Sequence, residues 1–214
     1  MANEKADEPV TRYSIIEAVL RVKNGFSFSF DMEKTIWTIG HSTRTADDFL
    51  KILAAFGIEL LVDVRRFPAS RRLPHFSRTN LENFLEKENI AYKHIEALGG
   101  MRKPLKDSKN TAWKNASFRG YADYMETPVF DAAIVQLEEL ALQRRTAYMC
   151  AEAVWWSCHR ALISDYLKTR GWTVIHITSA KSSMEHPYTK AAKLTKGRLD
   201  YTQGITELNF PGEE

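Results

Sequence analysis

Cysteine is almost missing from this chain: two residues in 214, and both fall within one stretch of eleven. That count excludes a scaffold held by many disulfides. Together with a polar start, MANEKADEPV, that has no apolar core of a leader peptide, it points to a reducing, cytoplasmic setting. No apolar run approaches the roughly 20 residues of a membrane span, so no membrane partner is expected. Internal repeats and low-complexity runs are absent too. A C-x-x-C redox motif is lacking. So is a phosphatase cradle, which would need an arginine six positions after a strand-end cysteine; here Cys150 is followed by Arg160, ten positions on.

What remains is an ordinary soluble composition, 44 % hydrophobic and 27 % charged, with a sequence pI near 8.8 that fits an anionic partner only weakly. Residues 1–33 read as an extension: a disordered start, a short helix over 12–22 from the spacing of Ile15, Ile16, Val19 and Leu20, and an alternating segment at 26–30. That helix is a candidate for docking on a partner or a second copy. From Lys34 onward, apolar β-rich runs alternate with helical periodicity. Strands are expected at 34–40, 58–65, 91–100, 146–150 and 172–177. Helices are expected at 45–57 (capped by Thr45, closed by Gly57), 79–90 (Thr79 and Glu82 at capping-box spacing), 127–145 (Pro128 in the first turn) and 158–171 (Ser157 as cap). Residues 101–120 read as a basic, irregular flap. The basic tail from 178 has no firm pattern. This order predicts one α/β domain over 34–214, a Rossmann-like three-layer sandwich with a mainly parallel sheet of about five strands.

In such a sheet, ligands sit beyond the carboxyl ends of the strands. There the sequence places its ionisable residues. His41 and Ser42 follow the first strand. DVRRFPASRRLPHFSR (63–78) follows the second, with five arginines and two phenylalanines among the charges. CAEAVWWSCHR (150–160) follows the fourth. Within that last loop, Cys150 and Cys158 are candidate nucleophiles. A helix start at Cys158 would favour its thiolate and an anion held by His159 and Arg160. Glu152 is a candidate acid or base, with His41 and Asp63 in the same cleft. Arg65, Arg71 and Ser42 complete the expected anion-binding set. The bland alternatives are packed thiols, tryptophans that anchor the loop, and a structural network around Asp63. Zinc held by Cys150, Cys158, His159 and a fourth ligand from His41 or His75 is the metal alternative, although the C-x7-C-H spacing matches no usual short knuckle.

TIGHS (38–42), DVRRFPASRRLPHFS (63–77), LGG (98–100), YADYM (121–125) and CAEAVWWSCHR (150–160), taken in this order, resemble the domain of unknown function 488 family. The resemblance covers about Lys34 to Ile177 and part of the tail. It implies a Rossmann-like α/β domain with no settled activity. The family's Cys-x-Glu…Cys-His-Arg loop falls on Cys150, Glu152, Cys158, His159 and Arg160. Its Asp-x-Arg and Ser-Arg elements fall on Asp63, Arg65, Ser70 and Arg71. A proline common in the family's loop is replaced around Val154–Trp155.

The leading expectation is a hydrolase-like enzyme acting on a phosphorylated, nucleotide or nucleic-acid-derived substrate, with no cofactor required by the sequence. The alternatives are a non-catalytic nucleotide or nucleic-acid binding module and a metal-stabilised interaction domain.

Overall fold

The computed structural model describes residues 34–70 and 72–202. The expected N-terminal helix and its docking role, Arg71, and the end of the tail lie outside the described residues.

Five strands, β1 (Thr35–Gly40), β2 (Leu60–Asp63), β3 (Ala91–His94), β4 (Thr146–Cys150) and β5 (Thr173–Ser179), run parallel. A sixth, β6 (Ser182–Glu185), turns back antiparallel on β5, so the sheet is mixed. The order across the sheet is β3-β2-β4-β1-β5-β6. It departs from the dinucleotide-binding order 3-2-1-4-5-6 because β4 lies between β1 and β2.

Alternation along each strand sends side chains to both faces, and both are covered. Trp37, Ile39, Leu61 and Met149 pack with Phe49 and Leu53 of α1 (Ala46–Ala55) and with Leu81 and Leu85 of α2 (Arg78–Lys87). Ile36, Val62, Tyr148 and Val174 pack on the other side. Their partners are Tyr121 of α3 (Ala116–Met125), Phe130 and Leu137 of α4 (Pro128–Gln143), and Leu162 and Leu167 of α5 (Arg160–Thr169). The result is a three-layer α/β sandwich. No helix among the described residues is long and apolar enough to cross a membrane.

The helix starts separate two expectations from two corrections. Thr45 caps α1 through the Asp48 N–H, and Thr127 caps α4 through the Phe130 N–H, as their spacing predicts. Thr79 caps nothing. The tight turn Pro74–Phe76 delivers the chain so that α2 begins at Arg78, leaving Thr79 inside the helix. Likewise, Trp155–Ser157 form a 3-10 turn, and the cap position of α5 is His159, without a side-chain cap. Cys158 therefore precedes the helix rather than standing in its first turn.

The basic flap is shorter than expected, because α3 begins at Ala116. Asp123 of α3 holds it down, accepting hydrogen bonds from the Leu105 N–H, the Ser108 hydroxyl and the Asn110 amide. The tail is also structured. Strands β7 (Lys193–Thr195) and β8 (Arg198–Asp200) form a hairpin turned by Lys196 and Gly197, both at positive φ. A buried network ties this tail to α5. Asp165 accepts from the Thr189 hydroxyl, the Tyr201 hydroxyl and His186 Nε2, and His186 Nδ1 faces His176 Nε2 at 2.9 Å.

Candidate functional site

The topology opens a crevice at one place. β1 and β2 send their helices to one face, while β4, lying between them, sends α5 to the other. The chains leaving the carboxyl ends of these strands therefore diverge at β4, and ligands bind at such a divergence. Backbone bonds prolong the pairing beyond the strands, from the His41 N–H to the Cys150 carbonyl and from the Ser42 N–H to the Ala151 carbonyl. A cleft of about 390 Å³ lies at this edge. It is lined by Arg65, Arg66, Gly100, Tyr121, Cys150, Glu152, Cys158 and His159, with Phe67, Met101, Ser117 and Phe118 towards the rim.

At the floor, two free thiols meet. Cys150 Sγ and Cys158 Sγ are 3.0 Å apart and share a hydrogen bond, with the residues 6 % and 3 % exposed. His159 Nδ1 lies 3.5 Å from Cys158 Sγ and 4.0 Å from Cys150 Sγ. The other ring nitrogen fixes the tautomer. Nε2 faces the Val64 carbonyl at 3.1 Å, and a carbonyl only accepts, so Nε2 carries the hydrogen. Nδ1 then presents a lone pair to the thiols.

The environment splits the two sulfurs. Burial pushes both up. For Cys158 this is outweighed by the hydrogen bond shared with Cys150 and by the charge and backbone N–H of Arg160, which bring the thiol down to about 7. For Cys150 the same contact with Cys158, together with burial, works the other way, and its thiol is pushed far up. Cys158 ionises first.

Arg160 acts here from behind the cleft. It is 1 % exposed, and its guanidinium donates to the Thr38 hydroxyl and to the Glu152 carbonyl. Against the expectation that it grips a substrate anion, Arg160 does not line the cleft and engages Nη1 and Nη2 inside the protein; its charge lies on the Cys158 side. His41 and Asp63 are also set back from the cleft. Asp63 is buried and takes a two-pronged contact from Arg65, at 2.9 and 2.6 Å, plus the Tyr92 hydroxyl. His41 stacks on Phe76, gives Nδ1–H to the Ser42 carbonyl, and faces Arg65 Nη1 with Nε2. Burial, with the nearby Arg65 charge, lowers it to about 4. Ser42 sits in a left-handed turn with φ 51°. These residues form a frame that aims Arg65, and Arg65 alone among them reaches the cleft wall.

Trp155 stacks on His176 at 4.4 Å, so it anchors the loop from within. Among the described residues, the Cys150–Cys158–His159 cluster is the one group placed to hold a metal ion. His75 faces the Arg44 carbonyl, and His41 is engaged as above, so neither of the expected fourth ligands joins it. Two sulfurs on one tetrahedral ion at about 2.3 Å stand roughly 3.8 Å apart. The observed pair is closer than that.

The sequence reached Arg66 and Phe67 only as part of the 63–78 loop, and Met101, Ser117 and Phe118 only as part of the 101–120 flap. Gly100 and Tyr121 were present as motif members alone, in LGG and YADYM. The reason is steric. A Cβ on Gly100 would lie 2.9 Å from His159 Nδ1, and the Tyr121 ring packs 5.2 Å from the His159 ring while its hydroxyl donates to the Leu98 carbonyl.

The family model described as "Domain of unknown function DUF488" matches residues 45–167, more than half of the chain. The chain belongs to the domain of unknown function 488 family. That match spans the cleft wall from Arg65 to His159 and leaves His41 and Ser42, which the sequence motifs included, outside it. No curated protein and no solved structure matches this DUF488 chain.

Proposed function

We propose that this DUF488 protein is a hydrolase-like enzyme in which Cys158 is the nucleophile and His159 its proton acceptor. One observation carries the reading: a thiol favoured as thiolate lies 3.5 Å from an imidazole nitrogen whose opposite nitrogen is held by a backbone carbonyl. Nucleophile, base and orienting group are thus linked in series, the arrangement that activates a thiol for covalent catalysis. Two unbonded thiols at 3.0 Å also suit the reducing, cytoplasmic setting.

Cys158 Sγ gives its proton to His159 and forms a bond to the electrophilic carbon or phosphorus of the substrate. The bond to the leaving group breaks, and the leaving group takes the proton from His159. Water then attacks the covalent intermediate, losing a proton to His159, and the thiolate departs. Glu152, at the same cleft, is the second group able to move a proton.

The substrate class follows from the walls. Arg66 supplies a cation, and Phe67 (61 % exposed) and Met101 (73 % exposed) supply uncovered flat and apolar surface beside it. That pairing suits a phosphate next to an aromatic ring, hence a phosphorylated, nucleotide or nucleic-acid-derived substrate. A panel of nucleotides, sugar phosphates and oligonucleotides screened by thermal shift and for turnover tests it. Expected is a stabilising ligand that wild type hydrolyses and Cys158→Ser binds without turnover. Turnover undiminished in Cys158→Ser overturns the mechanism. Binding with no turnover by wild type favours the non-catalytic binding module.

A further inference from the structure

We propose that Cys158 is a site of reversible oxidation and that Cys150 is its resolving partner, closing an intramolecular disulfide across the loop that carries Glu152. The inference rests on the reading of Cys158 as the reactive thiolate. It adds a property that hydrolysis does not need, namely a second thiol at bonding reach.

Three features point to it. The sulfurs are 3.0 Å apart, so a bond of about 2.05 Å requires an approach of about 1 Å, within side-chain rotation. Both line the floor of an open cleft, so a small oxidant reaches them from solvent while bulky thiols are held off. Cys150 ends β4 and Cys158 precedes α5, and the loop between them is held by Trp155 on His176 and by the Arg160 bond to the Glu152 carbonyl, so both thiols are kept facing each other and the approach falls to their side chains.

The chemistry balances with a hydroperoxide as oxidant. The Cys158 thiolate attacks the terminal peroxide oxygen, an S–O bond forms and the O–O bond breaks. The alkoxide or hydroxide leaves with the proton that His159 had taken from Cys158. Cys150 then attacks the sulfenic sulfur. An S–S bond forms, and the hydroxyl departs as water with the Cys150 proton. A low-molecular-weight thiol reduces the disulfide by exchange, giving its own disulfide and restoring both thiols. Without Cys150, the sulfenic acid remains open to further, irreversible oxidation. The device therefore silences the nucleophile while protecting it.

The test uses the full chain and needs no substrate. Reduced protein is treated with hydrogen peroxide and read by intact mass and by peptide mapping under non-reducing conditions. Expected is a loss of two hydrogens with one peptide pair linked through Cys150 and Cys158, fully reversed by dithiothreitol. Cys150→Ser should instead gain two or three oxygens at Cys158 that dithiothreitol does not remove. Oxygen addition at Cys158 in wild type without the linked pair overturns the proposal, as does a disulfide formed only between molecules. Iodoacetamide labelling of the reduced protein separates this failure from that of the functional reading. Fast labelling of Cys158 with no disulfide on peroxide sinks the resolving role alone; slow labelling at Cys158 sinks the thiolate reading and this inference with it.

Discussion

A methyl group at position 100 has nowhere to go. It would stand 2.9 Å from Nδ1 of His159 and 3.2 Å from Cγ of the same ring. The ring can yield only by swinging away from the thiols, because Tyr121 and the Val64 carbonyl bound it on other sides. Gly100→Ala should therefore lower turnover about a hundredfold, the scale of a displacement near 1 Å in a reacting group. Its thermal midpoint should stay within a few degrees of wild type. Equal activity of the two proteins on the substrate found by screening would show that His159 is not positioned by this contact. Gly40 differs in kind. Its missing Cβ would meet the Glu152 backbone oxygen, so substitution there strikes main chain and damages the fold itself.

At the scale of elements, capping distinguishes two threonines that look alike in sequence. Thr127 caps α4, the longest of the described helices, so Thr127→Ala should cost about 1 kcal/mol in urea unfolding. Thr79→Ala should cost almost nothing by the same measurement, since Thr79 has already entered α2. This contrast shows what local pattern conveys. β1, β2, β4 and β5 were legible because they are apolar runs ended by glycine or polar turns. β3 is half-exposed and shorter than expected, ending at His94 before the turn Glu96–Leu98. β6, β7 and β8 were not legible, because they are short, largely exposed hairpin strands that carry no buried alternation to mark them. Spacing alone put the cap of α5 at Ser157. Burial of Trp155 against His176 instead winds Trp155–Ser157 into a separate turn and delays the helix. The site divides along the same line. Cys150, Cys158 and His159 are neighbours along one loop and could be read together. Arg66, Gly100 and Tyr121 arrive from other elements, and the inward turn of Arg160 depends on Thr38 of β1.

The molecule as a whole carries an acid weakness. Burial holds His41 neutral down to about 4 and His176 down to about 2, whereas both take a proton near 6.5 once unfolded. The unfolded chain therefore binds more protons throughout this window. Stability should be fully present above about pH 6.5 and fall as pH drops towards 4. His41 alone accounts for about 3 kcal/mol of that loss. Urea unfolding at pH 7 and pH 4.5 should show the decline in wild type and a shallower one in His41→Gln, which keeps an N–H and an acceptor without the charge change. Parallel slopes in the two proteins would remove His41 as a cause.

Strand order has a consequence for how the chain comes into being. β1 lies between β4 and β5, whose residues follow it by more than a hundred positions. On a ribosome, Thr35–Gly40 emerges long before Thr146–Cys150, so the middle of the sheet must wait with both edges open while β2, β3 and four of the helices are made. The nascent protein cannot accumulate structure strand by strand from its start. Its central row closes only when the thiol loop and the strand after it have been synthesised, a late, long-range step of the kind that is slow and exposes unpaired edges to other chains.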